Sequence, residues 1–378
     1  MSGAVDPTPT KGVAGASPDT VAVREGEEID PVALRDWIAK TAPHLVPAGA
    51  SLVVRQFPAG FSNLTYLVSL AAEDGWRGYV LRRPPRGVKP GIAHDVLREY
   101  GILSALHPLG VPVPRPVASC EDASVIGAPF YLMAHVDGVI LRGTSPPELG
   151  KDAAVVATRM AALSRTFVST LAQLHSVDVS HEPLASLGRP EGYVQRQVSG
   201  WTKRWQASRT DDVRDLDHVA AWLDANRPPD RGVALVHNDF KFDNLVLHRA
   251  DVSRVVAILD WEMATIGDPL LDLGTSLAYW VEAGDAPIFR ALGLGVTALP
   301  GCATRAELAS AYGAASGRDV SDAPFYYAFG LFKVAVIAQQ IYARAVQGLT
   351  TDPRFAMLGE VVKALGGAAA DVTRTGVV

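Results

Sequence analysis

The sequence predicts an α+β protein with two lobes, a small antiparallel β lobe that carries one main helix and a larger, mostly helical lobe. Its length of 378 residues is enough for two domains. Short runs rich in β-branched residues dominate the first third of the chain, and long segments with helical periodicity dominate the rest. Hydrophobic residues make up 48% of the chain and charged residues 20%, which is typical of a soluble globular protein with an ordinary core.

The first lobe is predicted to be a five-stranded antiparallel sheet with one main helix over residues 93–106, where apolar residues recur at helical spacing. A short helix over 31–40 precedes the sheet, because Asp30 is a good N-cap and Pro31 suits the first helical position. The runs of β-branched and aromatic residues that predict the strands are 51–57, 64–70, 76–83, 117–120 and 130–136.

The second lobe is predicted to be helical, with a β-hairpin near its middle. The segments with helical periodicity are 153–175, 190–208 and the chain from about Leu271 onward. The two β-like runs are 244–247 and 254–259. The longest apolar stretch, 325–343, contains Lys333 and two glutamines, so it is better explained as a buried helix than as a membrane span.

Residues 1–29 are predicted to be a mobile, disordered tail. They are rich in Gly, Ala, Pro, Ser and Thr, and they lack the basic start and apolar run of a secretion signal. Order is expected from Asp30 onward. A hinge around 133–136 divides the rest into a first lobe, 30–134, and a second lobe, 135–378.

Charge and cysteine content narrow the functional classes. The formal net charge is −5, and no basic stripe interleaved with aromatic residues appears, so nucleic acid is not expected as a partner. The two cysteines, Cys120 and Cys302, are far apart and have no metal-type spacing. A disulfide framework is therefore not indicated, and a cytoplasmic location is predicted.

The strongest chemical pattern is the segment His-Asn-Asp-Phe-Lys-Phe-Asp-Asn at 237–244, followed sixteen residues later by Asp260 at the end of an apolar run. Phosphoryl transfer needs a carboxylate near the attacking hydroxyl and metal ions that neutralise phosphate charge. Mg²⁺ prefers hard oxygen ligands, which Asp and Asn side chains supply. The spacing therefore predicts Asp239 as the general base and Asn244 and Asp260 as magnesium ligands.

Two further residues of this segment receive predicted roles. Lys241 lies two residues after Asp239 and is expected to neutralise the γ-phosphate during transfer. His237 is expected to be structural, packing and hydrogen bonding within the loop. A lone His-x-Asp followed by Asn is often only a turn around a satisfied histidine. Asp260 favours function, because a carboxylate after a buried strand is costly unless it is paired or metal-bound.

This segment resembles the catalytic loop and metal-binding strand of the aminoglycoside phosphotransferase-like family, relatives of the protein kinases. The resemblance continues through the motif Asp-Trp-Glu at 260–262 and through the motifs Gly-Asp-Pro and Asp-Leu-Gly within 267–274. In all, it covers roughly residues 30–345. These motifs are similar to those of one branch of that family, the kinase-like domains that are fused to, or encoded beside, acyl-CoA dehydrogenases. The resemblance implies a protein kinase-like two-lobed fold, with nucleotide binding by the first lobe and the catalytic loop in the second.

The resemblance also assigns roles outside the catalytic loop. Asp272 matches the carboxylate that braces that loop through hydrogen bonds. Arg82 stands where kinases usually carry a strand lysine; it departs from the pattern but is still a cation that can grip phosphate oxygens. Glu99 matches the ion-pair partner of that cation. The residues expected to bind the nucleotide are Gly60, Phe61, Ser62 and Asn63 of the covering loop, Arg82 with Glu99, and Met133 and His135 at the hinge.

The sequence thus predicts an ATP- and Mg²⁺-dependent small-molecule kinase with a hydroxyl acceptor. The alternatives are a non-catalytic nucleotide-binding module, for which the Arg82 substitution is the support, and a metal-dependent hydrolase using His237, Asp239 and Asp260. A serine hydrolase is disfavoured, because the Gly-Phe-Ser-Asn-Leu run at 60–64 lacks the second glycine of a nucleophile elbow.

The acceptor is the least determined part of this prediction. Aminoglycosides are polycations that need a strongly acidic cleft, which a net charge of −5 over the chain does not indicate. The branch resemblance favours a hydroxyacyl-CoA-like compound, with an aminoglycoside or another alcohol as the alternative. No membrane partner is expected. The choice between ATP and GTP, and the presence of a homodimer, are left open.

Overall fold

The computed structural model describes residues 19–46, 50–58, 63–72, 75–85, 95–143, 146–229, 231–290, 295–349, 355 and 357–378. The chain divides into two compact units. The first contains residues up to Gly138 together with Val256–Met263, and the second contains Val139–Val255 and Ala264–Val378. The division after Gly138 lies four residues beyond the predicted lobe boundary at 134. The sequence did not predict that Val256–Met263, much later in the chain, also belongs to the first unit.

The first unit has the predicted antiparallel sheet, with strand order β1-β2-β3-β5-β4. Its strands are β1 Leu52–Gln56, β2 Leu64–Ala72, β3 Gly75–Arg83, β4 Pro116–Cys120 and β5 Phe130–Ala134. Its helices are α1 Pro31–Thr41 and α2 Val96–Leu106. The five predicted strands and the main helix are confirmed within a few residues. Asp30 caps α1 as expected, accepting hydrogen bonds from the N–H groups of Val32 and Ala33.

The core of the first unit forms on one face of this sheet. Tyr66, Val68 and Leu70 alternate along β2 and are fully buried, as a strand with one covered face requires. Leu34 and Ile38, one turn apart on α1, belong to the same apolar cluster. The short helix therefore closes the sheet on the side where alternate β2 residues point.

Residues 19–29 correct the predicted tail, which is too long at its C-terminal end. Val21 forms an antiparallel bridge with Gln56 of β1, and Thr20 is buried. The carbonyl oxygen of Glu27 accepts hydrogen bonds from the Tyr66 hydroxyl and from Arg83, both at 2.8 Å. Polar composition predicted a mobile segment here, but backbone hydrogen bonds to buried side chains hold it. The remainder of the predicted tail, residues 1–18, lies outside the described residues.

The second unit is mainly helical, as predicted. Its helices are α3 Ala153–Leu174, α4 Tyr193–Ser208, α5 Arg214–Ala225, α6 Pro269–Tyr279, the short α7 Pro287–Phe289, α8 Arg305–Ser316, α9 Ala323–Val346 and α10 Leu358–Thr375. Its strands are β6 Ala234–Val236, β7 Leu245–His248, β8 Asp251–Ile258, whose last residues count with the first unit, and β9 Thr265–Gly267. β7 pairs with β8 in the predicted hairpin, and β6 pairs with β9 in an antiparallel ladder that the sequence does not predict.

Helices α6 and α9 cross with their backbones in contact. A Cβ added to Gly274 of α6 would lie 2.0 Å from the carbonyl oxygen of Tyr326, and one added to Gly330 of α9 would lie 2.1 Å from the carbonyl oxygen of Gly274. Only glycine leaves room for this approach. The crossing fixes α9 against the middle of α6, two residues after Asp272.

Helix α9 confirms the interpretation of the apolar stretch as a buried helix, since most of its residues are shielded from solvent. Among the described residues, no helix combines the length and the apolar character that crossing a bilayer requires. Cys120 and Cys302 are both free thiols.

Candidate active site

The segment 237–244 follows β6 and leads into β7, and Asp272 of α6 holds its start. The two carboxylate oxygens of Asp272 accept hydrogen bonds from the backbone N–H groups of His237, at 2.6 Å, and of Asn238, at 2.8 Å. Asp268 caps α6 by accepting from the N–H of Leu270, which fixes the first turn of the helix that carries Asp272. The loop therefore has its backbone anchored to a rigid element.

Asp272 is fully buried and remains ionised. Burial by itself raises the pKa of this carboxyl, but hydrogen bonds and charge interactions with His175 and His237 outweigh it, so its pKa lies below the ordinary value of 3.8. His175 Nε2 lies 3.2 Å from Oδ2, and its Nδ1 lies 2.7 Å from the hydroxyl of Tyr312. The buried carboxylate thus stands in a complete network rather than alone.

Replacing Asp272 by Asn is expected to lower the free energy of unfolding by about 1–3 kcal/mol, because a single amide oxygen leaves one buried N–H without its acceptor. The pKa of Asp272 is depressed in the folded state, so its stabilisation is present above about pH 4 and lost as the pH falls through the folded value. Urea unfolding at several pH values checks both points. Stability of the wild type should fall more steeply on acidification than stability of the Asn variant; parallel pH dependences would contradict this role.

Asn238 has a left-handed backbone with φ of 67°, an uncommon conformation for a residue other than glycine. Its side chain exchanges hydrogen bonds with the hydroxyl of Tyr193 on α4. The turn at Asn238 directs the next residue, Asp239, away from the anchored backbone.

Asp239, Lys241 and Asn244 converge, as the sequence predicted for the residues of one catalytic loop. Lys241 Nζ lies 2.9 Å from Asp239 Oδ2, and the Asn244 amide nitrogen donates to the same oxygen at 2.9 Å. The Asn244 amide also donates to the backbone carbonyl of Asp239. The side chain of Asp239 remains 16% exposed. Its carboxylate is thus held in one orientation and still accessible.

His237 lies inside the loop and contacts its neighbours. It is fully buried, its Nδ1 accepts the backbone N–H of Asp239 at 3.3 Å, and its ring packs edge-on against Phe240. Such contacts shape the loop and leave the imidazole no exposed face for chemistry.

The two predicted magnesium ligands lie in different units, and each is compatible with that use. Asn244 donates hydrogen bonds with its amide nitrogen, which leaves its carbonyl oxygen as an acceptor that a hard cation can use. The side chain of Asp260 is 36% exposed, and its backbone has a left-handed φ of 66° directly after β8. The described residues contain no cluster of three or more His, Cys, Asp or Glu side chains that would hold a metal by themselves. Mg²⁺ needs only one or two protein ligands when substrate phosphates supply the rest.

Arg82 of β3 is the centre of an ionic cluster within the first unit. It pairs with Glu99 of α2 and lies 3.2 Å from Asp260 and 3.6 Å from Glu262. Burial lowers the pKa of this guanidinium, but the surrounding carboxylates outweigh burial and raise its pKa well above the ordinary value. Asn63 Nδ2 donates to Glu262 at 3.1 Å. One connected cluster of charged and polar side chains therefore contains three of the predicted nucleotide-binding residues, Arg82, Glu99 and Asn63.

The other predicted nucleotide-binding residues are placed as follows. Met133 is buried at the end of β5, opposite Val80 of β3. His135 is half-buried, and its backbone N–H donates to the carbonyl of Gly78 in β3 at 3.1 Å. This hydrogen bond extends the pairing between β5 and β3 by one residue. Gly60, Phe61 and Ser62 lie outside the described residues.

Sequence reasoning missed several residues of the candidate site. They are Glu262, Tyr193, His175 and Lys333, whose ammonium donates to the backbone carbonyl of Asn238 at 2.7 Å. Lys333 was detectable, because it is a charged residue in an otherwise apolar helical stretch. Tyr193 and His175 carry no comparable mark, since both lie in segments that read as ordinary helix.

The aromatic residues near the loop are mostly core. Trp201, Trp205 and Trp280 are buried. Tyr279 differs, because it is only partly buried and Lys241 Nζ lies 4.6 Å from the centre of its ring. Tyr279 therefore helps to position Lys241 of the loop 237–244.

A two-lobed architecture with a braced carboxylate loop is the arrangement found in phosphotransferases. Residues 53–309 match the model of the phosphotransferase enzyme family APH. The chain belongs to this family.

Particular relatives support the same assignment. The chain is 38% identical over 342 residues to acyl-CoA dehydrogenase family member 11 of Gallus gallus, covering 88% of this chain and 42% of the relative. The crystal structure of a candidate aminoglycoside phosphotransferase from Ralstonia eutropha is 30% identical, with a TM-score of 0.73 over 92% of this chain and 99% of that chain. A choline kinase from Cryptosporidium parvum shares the fold, with a TM-score of 0.60 over 90% of this chain and 96% of that chain at 11% identity.

The motifs Asp-Trp-Glu and Gly-Asp-Pro predicted the branch of the family that is associated with acyl-CoA dehydrogenases. The similarity to acyl-CoA dehydrogenase family members confirms that prediction. The chain spans about two fifths of the length of the relatives from Gallus gallus and Rattus norvegicus. The similarity therefore concerns a phosphotransferase-like part of those longer proteins.

Proposed function

We propose that this chain is an ATP-dependent phosphotransferase that moves the γ-phosphoryl group of ATP to a hydroxyl group of a small molecule. The observation that carries the proposal is the carboxylate of Asp239, fixed by Lys241 and Asn244 at 2.9 Å and accessible at its surface, in a chain of the phosphotransferase family. A carboxylate held in this way can orient and deprotonate an attacking hydroxyl.

In the proposed reaction the acceptor oxygen forms a bond to the γ-phosphorus while the bond from that phosphorus to the bridging β-phosphate oxygen breaks. The hydroxyl proton passes to Asp239, and ADP leaves. Lys241 lies on the same loop and offers a positive charge to the phosphoryl oxygens as they pass from donor to acceptor. Its contacts with Asp239 and Tyr279 keep that charge beside the base.

The nucleotide and metal are assigned to the predicted residues. Arg82, with Glu99 as its partner, is proposed to bind phosphate oxygens, and Asn63 with the preceding loop is proposed to cover them. Asn244 and Asp260 are proposed as the ligands of Mg²⁺, which when bound neutralises charge on the phosphates. Met133 and His135 are proposed to border the adenine. The hard oxygen donors of Asn244 and Asp260 support this choice of metal.

For the acceptor we propose a hydroxyacyl-CoA-like compound. Its support is the similarity to proteins named as acyl-CoA dehydrogenase family members, whose longer chains contain a part like this one. An aminoglycoside is the second candidate, supported by the Ralstonia structure at 30% identity. A polycationic aminoglycoside needs acidic groups around it, whereas the ammonium of Lys241 lies 2.9 Å from Asp239 Oδ2 and places a positive charge beside the proposed base.

The proposal is tested by incubating the purified chain with Mg²⁺ and ATP and a panel of acceptors, while ADP release is followed. The panel contains 3- and 4-hydroxyacyl-CoAs, the matching acyl-CoAs without a hydroxyl, choline, simple sugars and aminoglycosides. We expect ADP formation with the hydroxyacyl-CoAs and none above background with the acyl-CoAs that lack the hydroxyl, because the transferred group needs that oxygen.

Other results would redirect the proposal. ADP formation only with aminoglycosides or choline would retain the phosphotransferase and reject the hydroxyacyl-CoA acceptor. Tight ATP binding without ADP formation on any acceptor would favour the non-catalytic nucleotide-binding module. Acceptor cleavage without ATP would favour a hydrolase.

A further inference from the structure

Lys333 is a buried cation that no part of the proposed reaction explains. It lies on α9, is 2% exposed, and makes no ion pair within the described residues. Its Nζ donates to the backbone carbonyl of Asn238 at 2.7 Å and lies 5.8 Å from the centre of the Trp201 ring. Burial lowers the pKa of this ammonium to about 8. Burying an ammonium is costly, and here the attraction of Asp272 and Asp239 opposes the effect of burial only in part.

The glycine crossing of α6 and α9 explains how Lys333 reaches the catalytic loop. Gly330 lies against the backbone of Gly274, and Lys333 follows Gly330 by three residues, on the same face of α9. Asp272 precedes Gly274 by two residues on α6. The close crossing thus brings an anion from one helix and a cation from the other to the same short stretch of backbone.

Together these two side chains hold both ends of one residue. The N–H of Asn238 donates to Asp272 Oδ1 at 2.8 Å, and the carbonyl of Asn238 accepts from Lys333. Asn238 has φ of 67°, a conformation that is unfavourable for a residue other than glycine and persists only where its surroundings enforce it. The carbonyl that Lys333 holds belongs to the peptide bond that leads directly into Asp239.

We infer that Lys333 is a positioning residue, which together with Asp272 fixes the peptide between Asn238 and Asp239 and so holds the Asp239 carboxylate in its working orientation. This inference rests on the proposed function for the role of Asp239. The fixation of the loop is a separate property that can be measured without any acceptor.

The test replaces Lys333 by Met, which keeps an unbranched apolar side chain and removes the ammonium. A displacement of the base by about 1 Å can cost 10²-fold in rate, so we expect kcat for ADP formation to fall about 10–100-fold. KM for ATP should stay within about threefold, since Lys333 is not among the residues proposed to bind the nucleotide. Urea unfolding of the Met variant is measured beside kcat, so that activity is compared per folded protein.

Hydrogen exchange followed by mass spectrometry supplies a second readout. Amides of residues 237–241 should exchange faster in the Met variant than in the wild type, because the backbone has lost the hydrogen bond between Lys333 and the Asn238 carbonyl. Lys363→Met is the matched control, since Lys363 is an exposed lysine of α10 paired with Glu360. This control should leave kcat, KM and exchange of 237–241 unchanged.

Lys333→Gln is the second variant, because its amide still offers a hydrogen bond without a buried charge. We expect its kcat to lie between those of the wild type and the Met variant. Wild-type kcat and wild-type exchange in Lys333→Met would overturn the inference, and so would a fall in activity that only follows lost folded protein. If the wild type forms no ADP with any acceptor, the proposed function fails; faster exchange at 237–241 would then still support the fixation of the loop, and unchanged exchange would overturn it.

Discussion

Asp239→Asn is expected to lower acceptor-dependent ADP formation by about 10²–10⁴-fold, the usual loss when a general base is removed. Asn has nearly the same shape as Asp and keeps an oxygen that can accept from Lys241 or from the Asn244 amide, so the loop should retain its conformation. An amide oxygen cannot take the proton of the attacking hydroxyl at neutral pH. Steady-state kinetics with the acceptor found in the panel measure the effect, and ATP binding should persist.

Asp251→Asn is the matched control for this variant. Asp251 is exposed at the start of β8, and its carboxylate accepts hydrogen bonds from the backbone N–H and the hydroxyl of the nearby Ser253. Its replacement should leave kcat within about twofold, as expected for a surface position. If Asp239→Asn kept near wild-type turnover while remaining folded, Asp239 would not be the base, and the catalytic assignment of the loop would have to be revised.

Gly330→Ala is expected to destabilise the second unit strongly. The added methyl group would lie 2.1 Å from the carbonyl oxygen of Gly274, far inside contact distance, and the obstacle is backbone rather than a flexible side chain. The two helices would have to separate, which should cost about 3 kcal/mol or more, at the upper end of overpacking effects. Urea unfolding followed by tryptophan fluorescence measures the loss.

Gly367→Ala provides the control on the adjacent helix α10. A methyl group there would meet no atom closer than 3.9 Å, the distance to a carboxylate oxygen of Asp215. Since Ala forms helix better than Gly, this variant should gain about 0.5–1 kcal/mol. Equal stabilities of the Gly330→Ala and Gly367→Ala proteins would show that the α6–α9 crossing can relax, and the account of how Lys333 is placed would lose its basis.

Much of the fold could be predicted because its elements leave local marks. The β lobe showed itself as β-branched runs, α1 began at an Asp-Pro pair, and α9 appeared as a long apolar stretch. The strands β6 and β9 were missed because three residues are too few to show a periodicity. Residues 19–29 were misjudged because polar composition cannot reveal that their backbone bonds to the Tyr66 hydroxyl and Arg83.

The candidate site divides in a similar way. Asp239, Lys241 and Asn244 are close in sequence, so a single loop must bring them near each other, and their residue types indicate phosphoryl transfer. Asp272 and Glu99 were assigned only through the family resemblance, and the structure places each against a backbone or a cation that suits the assigned role. The binding of metal and nucleotide by Asn244, Asp260 and Arg82 stays a prediction.

The sequence by itself determined the class of fold, the family and the loop for which we propose the chemistry, because these depend on residue types at short and regular spacing. The family resemblance pointed to Asp272 as one support of that loop, and only the tertiary structure revealed Lys333 as another. Asn238 is anchored by Asp272, 34 positions later, and by Lys333, 95 positions later, through a helix crossing that two glycines permit. Contacts of this range arise from the packing of whole helices, so no local pattern in the chain encodes them.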